Sequence, residues 1–126
     1  MHNTMVRVAV GATGALLALI GIVAWADPAR VAAKLGVQAA NGLGLATLRA
    51  DLGAFFVVGG SLALLAALRR APATLNAPLL LIAFALAGRF LALALTPFDV
   101  SMVPPMVAEA MMVAVFTAGR FMRATP

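Results

Sequence analysis

Four ionisable side chains interrupt the long apolar stretches of this sequence, and their types and positions could do chemistry. They are Arg49, Asp51, Arg89 and Glu109. An ionised group in an apolar environment is unfavourable unless it is paired or hydrogen-bonded. An arginine can bind a carboxylate of its own chain or an external anion through the same guanidinium donors. The four residues therefore predict either an internal charge cluster that sets the register between helices or a small ligand- or ion-binding site.

Helical periodicity places Arg89 and Glu109 on mostly apolar faces. The face of Arg89 carries small residues, namely Ala85, Ala92 and Thr96. The face of Glu109 carries Met102, Pro105, Met106, Met112 and Phe116. Flexible thioethers beside a carboxylate are compatible with a pocket and equally with ordinary core packing. If a pocket forms, its apolar wall is predicted to contain Met106, Met112 and Phe116.

The pairing that we expect joins Arg89 to Glu109, with Asp51 as a second acceptor for the same guanidinium. Arg49 and Asp51 are two residues apart and therefore point to different faces of a helix. One of the two can turn inward while the other reaches toward the lipid surface.

Other kinds of chemistry have little support in this sequence. It has no cysteine, which removes thiol catalysis, cysteine-ligated metals and disulfides, and its single histidine is His2. We therefore predict no cofactor and no metal site. Glu109 is the one plausible general acid or base, and it has no nucleophile, histidine or metal ligand nearby in the sequence. An enzyme is accordingly the least favoured of the functions considered below.

The composition identifies the surroundings in which these charges must exist. Of the 126 residues, 64% are hydrophobic and 10% are charged, and the mean hydropathy is +1.09. Soluble domains carry about a quarter of charged residues, and a chain of this size has too much surface per volume to hide its apolar excess from water. The excess must face lipid, so the bilayer is the first predicted partner.

Four apolar runs are long enough to cross a bilayer. They cover residues 6–26, 43–68, 78–96 and 104–120; at ~1.5 Å per residue, about 20 residues span a hydrocarbon core. No strand alternation is visible, and only helices or closed barrels satisfy the backbone in lipid. We predict an all-α fold, a membrane-embedded four-transmembrane-helix bundle that forms one domain over residues 1–126. Ala24-Trp25-Ala26 fits a signal-peptide cleavage pattern, but we expect the first helix to be retained.

A short interfacial helix is predicted directly after the first span. Asp27 suits an N-cap, Pro28 the first helical position and Gly36 the stop. Val31 and Leu35 are expected to point into the membrane interface. Within the spans, small residues recur at packing intervals, which favours close approach of helix backbones. They are Gly11, Gly14, Ala18 and Gly21 in the first span, Gly53, Gly60, Ala63 and Ala67 in the second, and Ala85, Gly88 and Ala92 in the third.

The basic residues predict the orientation of the bundle, because short cytoplasmic loops are enriched in Lys and Arg. One side collects Arg7, Arg69, Arg70, Arg120 and Arg123, and the other has Arg30, Lys34 and Arg49. We predict a multi-pass protein of the bacterial inner membrane with both termini cytoplasmic. The net charge of +5 is scattered over the ends of the spans, so no nucleic-acid partner is expected. In this orientation Arg89 lies about 12 Å along its helix from Pro97, and Glu109 lies roughly 7–8 Å along its helix from Pro104. Both side chains are then predicted in the outer half of the membrane.

The charged positions resemble those of a known family. The segment Thr47-Leu48-Arg49-Ala50-Asp51-Leu52-Gly53-Ala54-Phe55-Phe56, followed by Gly88-Arg89, Asp99 and Glu109, is similar to the bacterial domain-of-unknown-function family numbered 4345. The resemblance implies a small four-helix inner-membrane protein whose signature is these five charged positions, with Asp99 as an acid of the outer loop. It implies no activity. Where the family often has Asp-Gly, this chain has Asp99-Val100, which puts a tight turn there in doubt.

Three functions remain open at the level of sequence. The favoured one is a non-enzymatic structural or accessory subunit, in a larger membrane complex or a homo-oligomer. The alternative is a binder or transporter of a small lipophilic or anionic molecule at an outward-facing charge cluster. A membrane enzyme acting on a lipid or quinone is the third.

Overall fold

The computed structural model describes residues 2–124, and this part of the chain is all-α. The helices are α1 (His2–Ala26), α2 (Pro28–Lys34), α3 (Gly42–Arg69), α4 (Asn76–Leu95) and α5 (Val103–Arg120), with 3₁₀ turns at Pro72–Leu75 and Val100–Met102. Four of the helices, all except α2, are long and apolar enough to cross a membrane. The predicted fold class is confirmed. The largest difference in boundaries is at α1, which begins four residues before the predicted span, because each residue added to an existing helix gains one backbone hydrogen bond.

Helix α2 forms where the capping residues predict it. The side chain of Asp27 accepts a hydrogen bond from the backbone N–H of Arg30 at 3.2 Å, and Gly36 ends the segment with φ +72, the left-handed conformation that glycine adopts without strain. Val31 is only 8% exposed, since α2 packs against α1 and α3. The short helix is therefore docked on the bundle through Val31, and the expectation that this side chain points into the membrane interface is wrong.

Helices α1 and α3 form the most extensive contact in the fold, and glycines make it possible. A Cβ added to Gly14 would lie 2.5 Å from the backbone nitrogen of Leu64, and one added to Gly21 would lie 2.6 Å from the backbone nitrogen of Val57. A Cβ on Gly60 would overlap the backbone of Ala18. The small residues predicted for the first two spans therefore do bring two helix backbones together, an arrangement typical of membrane helix bundles.

The main hydrophobic core extends from one end of the bundle toward its middle. We call this end the basic end, since it carries Arg7, Arg69, Arg70, Arg120 and Arg123. Val10, Leu75 and Phe116 are fully buried there. A Cβ on Gly119 would lie 2.6 Å from Leu75 Cδ1 and 2.8 Å from Val10 Cγ2. The start of α1, the turn before α4 and the end of α5 are thus closely packed.

Helices α4 and α5 pack mainly on each other toward the opposite end of the bundle. Within the described part of the chain, no residue from 83 to 115 is buried. Gly88 is exposed, and a Cβ added to it would meet no atom within 4 Å. The small residues predicted to pack in the third span therefore contact no neighbouring helix at Gly88. Much of the surface of the α4–α5 hairpin is left uncovered.

Candidate functional site: an arginine–glutamate pair between the last two helices

The hairpin formed by α4 and α5 brings the two deepest charges to the same level. Arg89 lies six residues before Leu95, where α4 ends, and Glu109 lies six residues after Val103, where α5 begins. At ~1.5 Å per residue, both lie about 9 Å from the end of their helix. Because the helices run in opposite directions, equal distances from the connecting loop place the two side chains opposite each other.

The predicted pair between Arg89 and Glu109 is present. Nε of Arg89 donates to both Oε1 and Oε2 of Glu109, each at 2.8 Å. The side chain of Glu109 is 12% exposed and that of Arg89 is 32% exposed. A charge-assisted contact of this length is strong, and each ion neutralises the other in surroundings where a single ion is costly. The geometry therefore holds α4 and α5 in one register.

Only one of the five guanidinium donors of Arg89 makes this contact. The N–H on Nε is shared between the two carboxylate oxygens, and the N–H groups on Nη1 and Nη2 have no hydrogen-bond partner within residues 2–124. A guanidinium carries five N–H donors in total. The exposed part of Arg89 therefore has four donors available to water, a lipid headgroup or an anion.

Asp51 does not join this pair. It is exposed on α3 and makes no hydrogen bond or ion pair with Arg89 in the part of the chain that the structure describes. Asp51 is two residues from Gly53, which faces α1, and two residues correspond to about 200° around a helix. Its carboxylate is thus directed away from α1, and the expected second contact of Arg89 with Asp51 is not made.

Arg49 has a role that the sequence reasoning missed. Its Nε donates to the carbonyl oxygen of Trp25 at 2.9 Å. The last carbonyls of a helix have no partner within it and carry partial negative charge, so Arg49 caps the end of α1. One turn along α3, a Cβ on Gly53 would overlap the indole of Trp25. Two features of the sequence indicate this contact. They are the four-residue spacing of Arg49 and Gly53 and the tryptophan at the end of the preceding span.

The residues of the predicted pocket wall differ in their surroundings on α5. Phe116 is fully buried in the core at the basic end, and Met112 packs against that core. Met106 is partly exposed. Phe116 thus has a clear packing function, and a pocket wall built from these three residues stays a prediction.

Asp99 lies in the loop between α4 and α5 and is fully exposed. Its Oδ1 accepts a hydrogen bond from the backbone N–H of Ser101 at 2.7 Å. Hydrogen bonds from the Ser101 side chain and backbone hold the pKa of Asp99 below its usual value. They also start the 3₁₀ turn Val100–Met102. The turn has no positive φ, so Val100 fits there without strain.

Residues 2–124 contain no group of three His, Cys, Asp or Glu side chains that could hold a metal ion. Comparisons of the chain with protein families, with curated proteins and with solved structures give no match. The site is therefore interpreted from its own geometry.

Proposed function

We propose that this chain is a non-enzymatic multi-pass membrane protein that acts as a structural or accessory subunit beside another membrane helix. The observation that carries the proposal is the uncovered face of α5. Ala110, Ala114 and Ala118 are all exposed, and their spacing of four residues places them on one face. Small residues at this interval are typical of surfaces on which a second transmembrane helix packs closely.

The Arg89–Glu109 pair supports this function by making the hairpin rigid. A partner helix binds a preorganised surface more tightly than a flexible one, because less conformational freedom is lost. The pair fixes the rotation of α5 relative to α4, and so fixes which face of α5 is turned outward. In this proposal the charges are structural, and the alanine face makes the contact.

The partner face can be tested with one substitution and a matched control. Ala114→Leu fills the small face, whereas Ala15→Leu adds the same bulk to an exposed position of α1. We expect Ala114→Leu to lose partners that co-purify with the wild-type protein in mild detergent, and Ala15→Leu to retain them. A strictly monomeric wild-type species without any partner would contradict the proposal.

A second candidate function rests on the four N–H donors of Arg89 that have no partner in the described part of the chain. They favour a binder of a small anionic or lipophilic molecule at the end of the hairpin opposite the basic end. Density or retained ligand at Arg89 that disappears in Arg89→Lys would favour this function, since lysine keeps the charge but not the planar donors.

We also propose the cellular setting and the family. A bacterial inner-membrane location with both termini cytoplasmic is supported by the five arginines at the basic end. Reporter fusions at the C-terminus and at Asn76 test it, and periplasmic activity at either would contradict it. Membership of the resembling family is supported by its charged signature, two members of which, Arg89 and Glu109, form the ion pair.

A further inference from the structure

A cleft of about 170 Å³ opens at the basic end, far from the Arg89–Glu109 pair. It is lined by Asn3, Thr4, Arg7, Arg70, Met122 and Arg123. Three arginines thus reach one small space from three separate parts of the chain: the start of α1, the end of α3 and the segment after α5. A single water needs only ~10–15 Å³ on a comparable measure, so the cleft has room for a polyatomic anion.

The positive charge of this cleft has no carboxylate side chain to balance it. The four acidic residues of the sequence are Asp27, Asp51, Asp99 and Glu109. Asp27 and Asp99 lie in loops at the opposite end, and Asp51 and Glu109 lie in the halves of α3 and α5 nearer to those loops. Within residues 2–124, the arginines of the cleft form no ion pair. Like charges that line one cleft repel one another, and a bound anion offsets this repulsion.

The backbone at Arg70 adds a second observation. Arg70 has φ 50 and ψ 45, a left-handed conformation that is unfavourable for residues other than glycine or asparagine. Its backbone N–H bonds to the carbonyl of Ala66, and this turn directs the chain from α3 toward Pro72. Glycine is the usual residue at such a helix end. Here the position holds an arginine that lines the cleft.

We propose that this cleft binds a phosphate group, supplied by an anionic membrane lipid. Guanidinium groups bind phosphate oxygens through two parallel N–H donors, and Asn3 and Thr4 add neutral donors beside them. Basic pockets between helices at a membrane surface bind lipid headgroups in this way. The exposed apolar side chains of Met5 and Val8 lie on the same turns of α1, where acyl chains would meet the helix. The binding does not depend on the proposed partner face of α5.

The test compares adjacent arginines of equal charge. Arg70 lines the cleft, whereas Arg69 is exposed beside it and does not. The wild type, Arg70→Gln, Arg123→Gln and Arg69→Gln are reconstituted in equal parts of phosphatidylcholine and phosphatidylglycerol. They are then extracted into mild detergent, and retained lipid is counted by native mass spectrometry. We expect retention of phosphatidylglycerol to fall on the order of tenfold in Arg70→Gln and Arg123→Gln, since each loses a charged hydrogen bond. Arg69→Gln should match the wild type.

A second arm identifies the source of the phosphate. Inorganic phosphate is added to lipid-depleted protein in detergent, and thermal unfolding is followed. Stabilisation that Arg123→Gln abolishes supports the cleft as a phosphate site with free phosphate as a ligand. Retention of phosphatidylglycerol without such stabilisation supports the lipid as the source.

Two results would overturn the proposal. One is equal loss of phosphatidylglycerol in Arg69→Gln and Arg70→Gln, which would show general attraction to the basic end. The other is equal retention of phosphatidylcholine and phosphatidylglycerol by the wild type. If Arg70→Gln fails to fold, Arg123→Gln decides, because Arg123 lies outside the helices.

Discussion

The carbonyl oxygen of Trp25 accepts a hydrogen bond from Nε of Arg49 at 2.9 Å, and this contact joins α3 to the end of α1. The indole of the same tryptophan lies over Gly53. The α1–α3 contact therefore has two parts, which are a polar cap at one end and a seam of small residues along the rest. The seam and the cap make different predictions.

The close packing of small residues between α1 and α3 predicts a large loss of stability when Gly60 is substituted. Gly60→Ala places a Cβ against the backbone of Ala18, and overpacking of this kind costs about 1–3 kcal/mol. We expect a lower thermal unfolding temperature in detergent. Gly88→Ala is the control, because its Cβ meets nothing within 4 Å and alanine is the better helix former by about 0.5–1 kcal/mol. Equal destabilisation by both changes would contradict the close α1–α3 contact.

The cap predicts a smaller effect at Arg49. Arg49→Ala removes a hydrogen bond in exposed surroundings, so we expect a loss of at most about 1 kcal/mol in the free energy of unfolding. Asp51→Ala is the comparison, since Asp51 is exposed and makes no contact with Arg89 in the described chain. Its stability in detergent should equal that of the wild type. If Asp51→Ala lowers the stability more than Arg49→Ala does, then Asp51 rather than Arg49 makes the stabilising contact, and the prediction is contradicted.

The ion pair predicts that the effects of substituting Arg89 and Glu109 on stability are not additive. In the folded protein the side chain of Glu109 is only 12% exposed, and Arg89→Ala removes its partner, which is costly for a largely buried charge. The variant Arg89→Ala with Glu109→Ala removes both charges and should be more stable than Arg89→Ala alone. Thermal unfolding of the two single variants and the double variant gives the coupling energy, for which about 0.5–3 kcal/mol is the usual range for residues in contact. Strictly additive effects would rule out the pairing.

Asp99 predicts a dependence on pH in the loop between α4 and α5. Its pKa is lowered in the folded protein, first by the Ser101 side chain and then by the Ser101 backbone N–H. A lowered pKa means that the stabilisation is present above the unfolded pKa of about 3.9. It is lost as the pH falls through the lower, folded value.

The carboxyl carbon of Asp99 can be titrated by NMR in detergent. We expect Ser101→Ala to move its pKa back toward the ordinary value, because the side-chain hydrogen bond is lost while the backbone N–H remains. An unchanged titration would show that the hydroxyl does not bind Asp99.

Local patterns were sufficient to predict the helices and the main ion pair. In lipid the backbone of a long apolar run has no partner but itself, which predicted helices over residues 6–26, 43–68, 78–96 and 104–120. The helices found differ from these runs only at their ends. The cap at Asp27 is a contact between residues three apart, which sequence shows directly. Arg89 and Glu109 flank one short loop at equal distances, so an antiparallel hairpin brings them together whatever the other helices do.

The tertiary structure decided everything that depends on how helices are rotated and which ones are neighbours. A helix that is apolar on all sides has no polar face to indicate its rotation. The sequence therefore could not tell that Arg49 faces Trp25 while Asp51 turns away from α1. Nor could it show that Arg7, Arg70 and Arg123 line one cleft, since these residues belong to three distant segments. Such contacts arise only when glycines such as Gly14 and Gly60 set the distance between helices.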